Sequence, residues 1–368
     1  MKIIQKGDEN GNGMVVRFRL PSGLEIFSLP TKNFYGGHWD LGPTWNYAVM
    51  ADRPFLVDAG RFGQGKHLLK MLQVAGISPG DLAFVLISHG HEDHDGGLSE
   101  LVELTDIKVK AHTVYDLLIR QYPALAPEGY KQHFPAKCWH CIMPVEFFEA
   151  NCLGYHRVLQ ALSVERVGDE DENFGDGIGT MHLPGHSPDS LAVMLGDEAI
   201  IAGDVVLPDI TPWPTRLEQY AEAEAVLAPL YPRADALFGL NRYLGSLGRL
   251  RDIARHSPDI RVFPAHRVYY QSHWNEIHLA ERLEQLFEHH IQRCASILEI
   301  VSGEARDVDE IARRHFKEVL LKGPGKRMAA YEIISHAEVL LACGDLVEVA
   351  KHRYAATGSA YFEQHIRL

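Results

Sequence analysis

The order of apolar runs along the 368 residues predicts an α/β protein: a strand-rich two-layer core with outer helices, followed by a small helical unit. Three observations predict it. Up to Gly60 the chain reads as short apolar or alternating runs divided by turn residues; strand and helix patterns then alternate to about Arg267; beyond His266 long helical stretches take over. With 46% apolar residues, a large core can be filled.

Met14 to Leu20, Leu24 to Leu29, Tyr47 to Met50 and Phe55 to Asp58 predict the strands of an antiparallel opening sheet. Gln64 to Ala75 places Leu68, Leu69, Leu72 and Ala75 at helical spacing and stops before Gly76. Phe84 to Ile87 reads as a buried strand, and the alternation continues through Ile107 to Lys110 and Val114 to Arg120. Tyr122 to Arg157 breaks the rhythm with prolines, glycines, aromatics and Cys138, Cys141 and Cys152, which predicts an insertion over 122–157 able to cap a pocket. Strands resume over Thr180 to Leu183, Leu191 to Leu195 and Ala199 to Ala202; a helix follows over Leu217 to Leu230, then strands near Leu237 and Val262. Trp274 to Ile300 predicts a connecting helix. Asp307 to His315, Tyr331 to Cys343 and Leu346 to Val349 predict helix, helix and short strand, a winged-helix-like unit. The expected domains are 1–270 and 271–368.

A net charge of −13 argues against a nonspecific nucleic-acid binder, which needs surplus Lys and Arg to meet phosphates. No run approaches the roughly 20 apolar residues of a membrane span, and the amino terminus turns polar at Asp8 and Glu9, unlike a secretory signal. Five cysteines are too sparse for a disulfide framework. A soluble, cytoplasmic protein is expected.

Chemistry concentrates in Ser88-His89-Gly90-His91-Glu92-Asp93-His94-Asp95-Gly96-Gly97, a glycine-bounded loop at a strand's carboxyl end. Its spacing is that of a metal site. Three further candidate ligands follow other apolar β-like runs: His186 in Pro184-Gly185-His186-Ser187-Pro188, Asp204 in Ala202-Gly203-Asp204, and His266 in Pro264-Ala265-His266-Arg267. Imidazole suits zinc and iron, and a carboxylate can bridge two cations. The set therefore fits two metals, with His89, His91 and His186 on one, Asp93, His94 and His266 on the other, and Asp204 bridging.

His89-x-His91-x-Asp93-His94, then His186, Asp204 and His266 in order, resembles the metallo-β-lactamase superfamily over about residues 14–267. The resemblance implies an αββα sandwich, two mixed sheets face to face with helices outside, and a dinuclear site along one edge. His91 stands where the flavin-linked reductive branch resembles Glu, which favours hydrolysis. Keeping Asp93 sets the chain apart from the drug-hydrolysing branch and nearer to the thioesterase, lactonase and RNA-processing branches. Asp58, in Leu56-Val57-Asp58-Ala59-Gly60, resembles the first family motif, implying a carboxylate that orients a ligand histidine; a plain strand-ending turn residue is the other reading. Leu207 to Thr215 resembles a segment of members with helical extensions, and is expected to line the pocket.

Two cations roughly 3.5 to 4 Å apart acidify a shared water to hydroxide at neutral pH, the expected nucleophile on an ester-like carbonyl. Asp93 would accept or relay the proton and Asp204 would bridge. An acyl thioester such as acyl-coenzyme A is the expected substrate, because a thiolate leaves without a separate general acid. Lactone hydrolysis, RNA phosphodiester cleavage and ligand binding with little turnover remain open alternatives. Zinc is the expected metal, with iron and manganese also suited. Expected partners are a small-molecule substrate and a second copy in a homodimer, with no membrane.

Other residues invite blander readings. His112 and His182 are expected to be structural, and His289 and His290 solvated. Cys138-Trp139-His140-Cys141 has zinc-knuckle spacing, but its only candidate second pair is Cys152 and His156, so packing is expected. Arg313, Arg314, His315, Lys317, Lys322, Lys326 and Arg327 cluster in a helix-turn-helix-like pattern; a solvated face is expected, with Tyr331 to Leu341 a core helix. Gly175 to Gly179 and Gly323 to Lys326 read as turns.

Overall fold

Alternation in the early residues becomes antiparallel sheet in the computed structural model, which describes residues 1–34, 40–120, 153–169 and 173–367. Strands β1 (Lys2–Gln5), β2 (Val15–Arg19), β3 (Glu25–Thr31), β4 (Thr44–Val49) and β5 (Phe55–Val57) pair antiparallel in sequence order. Then β6 (Phe84–Leu86), β7 (Lys108–His112) and β8 (Val164–Val167) extend the sheet in parallel. Parallel neighbours need crossovers, supplied by α1 (Gly65–Ala75), α2 (Glu92–Asp95), α3 (Leu98–Thr105), α4 (Thr113–Ile119) and α5 (Leu153–Leu159). Gly76, at φ 79°, closes α1 where the sequence places its end.

The second sheet runs β13-β12-β11-β10-β9, from β9 (Asn173–Gly175), β10 (Ile178–His182), β11 (Leu191–Leu195), β12 (Ala199–Gly203) and β13 (Arg261–Pro264). A hairpin of β14 (Tyr269–Tyr270) and β15 (His273–Trp274) follows. Period-two alternation sorts the core into two clusters. Phe18, Ile26, Tyr47, Phe55 and Val57 meet Leu191, Val193, Ile201 and Phe263 between the sheets, while Phe27, Leu56 and Val85 turn outward onto Leu68, Leu72, Leu98 and Tyr115 of the helices. With both faces covered, Phe84 to Ile87 is continuously apolar.

By its contacts the chain forms two compact units, and this sandwich with its helix layer belongs to the first: Met1–Leu183, Asp189–Pro212 and Ser257–Leu279. The second comprises Pro184–Pro188, Trp213–His256 and Ala280–Leu368. It contains α6 (Leu217–Leu227), α7 (Leu240–His256), nearly all of α8 (Leu279–Val301), β16 (Arg306–Asp307), α9 (Val308–His315), α10 (Pro324–Ala342), β17 (Leu346–Ala350), β18 (Arg353–Ala356) and α11 (Phe362–Arg367). Its three strands form a small sheet in the order β16-β18-β17. The two units interleave along the chain.

Several expectations are corrected. No strand forms at Leu237, which ends a 3-10 turn, Ala234–Leu237; Gly239, at φ 88°, then starts α7. That helix escapes notice because Gly245 and Gly248 lower its propensity, yet Leu240, Tyr243, Leu244 and Leu247 keep helical spacing and are buried. Gly323 to Lys326 is a helix start, with Pro324 in the first turn of α10. His290 is fully buried on α8, where a solvated position is expected. Ile333 to Ala337, Val339 and Leu340 are buried, so α10 is a core helix. Most of the expected insertion, with Cys138, Cys141 and Cys152, lies outside the described residues. Among the described residues no helix is long and apolar enough to cross a membrane.

Candidate metal centre

Parallel pairing of β5, β6 and β7 brings their carboxyl ends to one edge, and parallel pairing of β12 with β13 does the same for the positions before Asp204 and His266. Asp58 follows β5 in the left-handed region, at φ 64°, a conformation Asp tolerates better than most residues. Its Oδ1 accepts from the Ser88 amide at 2.7 Å, and its Oδ2 accepts from Ser88 Oγ and His94 Nδ1, each at 2.9 Å. A carboxylate only accepts, so the His94 proton sits on Nδ1 and the Nε2 lone pair points away.

His94 Nε2 is buried without a hydrogen bond, and so is His266 Nε2. Yet neither is remote from oxygen. His94 Nε2 lies 3.7 Å from Asp93 Oδ2 and 3.5 Å from Asp204 Oδ1, and His266 Nε2 lies 3.2 Å and 3.4 Å from the same two atoms. Ligands at zinc distances in a tetrahedron are separated by about 3.4 Å, so these gaps match the edges of a coordination polyhedron. The donor chemistry and the orphaned imidazole nitrogens fit a divalent cation. His89, His91 and Asp204 likewise offer atoms within 4.8 Å of one another, as do Asp93, His94 and His266. His89 Nε2 meets His91 Nδ1 at 2.9 Å, and His89 Nδ1 meets Ser88 Oγ at 3.0 Å.

The remaining motif residues build the loop. Glu92 Oε1 accepts from the Phe62 amide at 2.9 Å, and Asp95 Oδ2 accepts from Tyr115 Oη at 3.0 Å. A Cβ on Gly97 would stand 2.2 Å from the Ala59 carbonyl oxygen, which is why glycine is required there. Asp189 Oδ2 accepts from the Gly90 amide at 2.8 Å, a support that sequence reasoning misses, as it misses Ser88.

Electrostatics agree with a cation seat. Burial works to raise the carboxyls of Asp93 and Asp204, but the neighbouring His94 and His266 hold both below the usual carboxylate range. Burial works to lower His266; Asp204 and Asp93 outweigh it and push the imidazole up to about 9. Cation uptake therefore displaces protons.

His186 belongs to the loop of the second unit, where its Nδ1–H donates to the Trp213 carbonyl at 2.7 Å, leaving the lone pair on Nε2. In the Leu207 to Thr215 segment, Asp209 pairs with Arg267 at 2.7 Å. A third group, His112, Asp169 and His182, has ligand types but not ligand geometry. The His112 and His182 rings stack at 3.8 Å and 20°, so one cation cannot lie in both ring planes. His112 Nδ1 accepts from the Val114 amide, which puts its proton on Nε2, facing Asp169 at 2.8 Å.

A family model, the metallo-beta-lactamase superfamily, matches residues 39–286. The chain belongs to the metallo-β-lactamase superfamily. Solved members with the same fold include a metallo-β-lactamase family protein from Thermus thermophilus, 20% identical with a TM-score of 0.61, covering 90% of this chain and 98% of that one. Another is a β-lactamase domain protein from Burkholderia ambifaria, 20% identical with a TM-score of 0.62, covering 96% and 95%. Metallo-β-lactamase superfamily members are mostly metal-dependent hydrolases, and the His and Asp clusters described above suit divalent metal ions.

Proposed function

We propose that the protein is a dinuclear metal hydrolase of a small ester-like carbonyl compound, an acyl thioester such as acyl-coenzyme A. One observation carries the metal reading: two buried imidazole nitrogens stand 3.2 to 3.7 Å from oxygens of buried Asp204 and partly buried Asp93, with no hydrogen bond made by either nitrogen. His89, His91 and His186 would hold one cation, Asp93, His94 and His266 the other, and Asp204 would bridge.

Two divalent cations held there supply an acidified water and Lewis-acid stabilisation of a developing oxyanion. The chain's own groups do the rest. Asp58 fixes the His94 tautomer, and Asp93 would accept or relay the proton. Carboxylates engaged as ligands only accept, so they make poor acids for a leaving group. A thiolate needs none, which supports the thioester over an amide. Zinc suits the histidine-rich N/O set, with iron and manganese accommodated. Thiols at Cys294 and Cys343 support a reducing, cytoplasmic setting.

The test is steady-state turnover by protein reconstituted with zinc, iron or manganese on acyl-coenzyme A thioesters, lactones and phosphodiesters. Thioester turnover that disappears with a chelator is expected. Exclusive turnover of another class would replace the substrate assignment, and none on any would replace catalysis with ligand binding.

A further inference from the structure

Asp93 is gripped from a direction that the metal motif does not announce. Beyond β3, Asn33 Nδ2 donates to Asp93 Oδ2 at 2.8 Å, and at the start of β4 Thr44 Oγ1 donates to the same oxygen at 3.2 Å. That oxygen is also the one facing His266 Nε2 at 3.2 Å and His94 Nε2 at 3.7 Å. A free carboxylate could present either oxygen. With both donors on Oδ2, the two oxygens are no longer equivalent.

We propose that Asn33, assisted by Thr44, is a positioning residue of the metal centre, holding Asp93 Oδ2 at the seat of the second cation. The inference rests on the dinuclear reading above and deepens it. The amide orientation is dictated, because a carboxylate accepts only and the Asn33 nitrogen must face it. Asn33 Oδ1 then points elsewhere, and it is buried with no hydrogen-bond partner among the described residues. The residue is 6% exposed and this oxygen itself is out of contact with bulk water. An orphaned buried acceptor burdens the fold. Stability alone would not select an amide here; orientation of a ligand carboxylate does.

This predicts opposite signs for metal affinity and stability. Zinc binding is measured by competition with a chromophoric chelator in the full-length protein, with thermal melting of the metal-free protein alongside. The set comprises the parent, Asn33→Ala, Thr44→Val and Thr44→Ser. Asn33→Ala is expected to weaken one zinc site about 10- to 100-fold, the usual range for residues that orient ligands, without lowering the metal-free melting temperature. Thr44→Val is expected to weaken the same site, and Thr44→Ser, which keeps the hydroxyl, to retain the parent affinity. Should Asn33→Ala not fold, the two Thr44 variants carry the comparison. Two zinc sites of unchanged affinity in both Asn33→Ala and Thr44→Val would overturn the inference and leave the dinuclear reading standing; so would weakening that tracks a loss of metal-free stability. A parent that takes up neither zinc, iron nor manganese would overturn both.

Discussion

Nδ1 of His94 lies 2.9 Å from Oδ2 of Asp58, and both residues are buried. This one bond ties the end of β5 to the loop after β6 and settles which His94 nitrogen is available to a cation.

Replacing Asp58 by Ala removes the acceptor for the Ser88 amide and for His94 Nδ1 together. Buried donors left unpaired cost about 1 to 3 kcal/mol each. Denaturant unfolding of the metal-free protein is expected to show a loss of about 2 to 6 kcal/mol for the two donors together, and chelator competition an affinity lower by about 10- to 100-fold. Unchanged metal affinity would separate Asp58 from the centre.

Asp204 faces both His94 and His266 through Oδ1. Asp204→Ala is expected to lose at least one metal, by elemental analysis, together with hydrolysis. Full activity with two metals bound would contradict a bridging role.

Gly97 leaves no room for a side chain. Alanine there drives a methyl group into the Ala59 carbonyl oxygen, 2.2 Å away in the ideal geometry. Overpacking of this kind costs about 1 to 3 kcal/mol, and here it displaces the α2 loop. A lower melting temperature is expected with reduced metal content; a well-loaded, equally stable Gly97→Ala would show that the loop relaxes freely.

In the second unit, buried groups oppose one another in pH. Burial pushes Glu338 up to about 8, beside the Leu217 amide that donates to its Oε1 at 2.8 Å. Its folded value exceeds its unfolded one, so its contribution is complete below about 4.5 and disappears as pH rises through 8. Burial lowers His336 to about 4, Glu332 notwithstanding, so its contribution is complete above about 6.5 and fades as pH falls toward 4. Glu338→Gln is expected to gain stability over the parent progressively from pH 5 to 8 and to hold that gain above it, by a few kcal/mol (on the order of 1.4 per pH unit). In that background, acidification from about 6.5 toward 4 should destabilise, as His336 and the adjoining His290, both held down by burial, are forced to take up protons. Denaturant titrations across pH read both, and a pH-independent difference between the two proteins would refute the Glu338 assignment.

Much of this site is legible in the sequence because ligand loops follow apolar strands, and a strand's end is visible as the end of its apolar run. His89, His91, Asp93, His94, Asp204 and His266 all stand at such places. Asp189, Asn33 and Thr44 reach Gly90 and Asp93 through contacts distant in sequence, and no periodicity marks them. The row Thr31, Asn33, Thr44 and Asn46 offers one signal: polar residues persist where apolar strands end, and all four are buried. Helix α7 hides behind its glycines for a different reason: tertiary burial of Tyr243 and Leu247 overrides weak local preference.

The parallel register of β12 with β13 has a consequence in time as well as space. Asp204 and His266 become neighbours only once the chain has produced α6 and α7 and returned to lay down β13. During synthesis the amino-terminal histidine loop emerges long before the last imidazole does. The candidate ligands therefore gather only when the second sheet is complete, so any cation they hold would be bound by the finished sandwich and not by the growing chain.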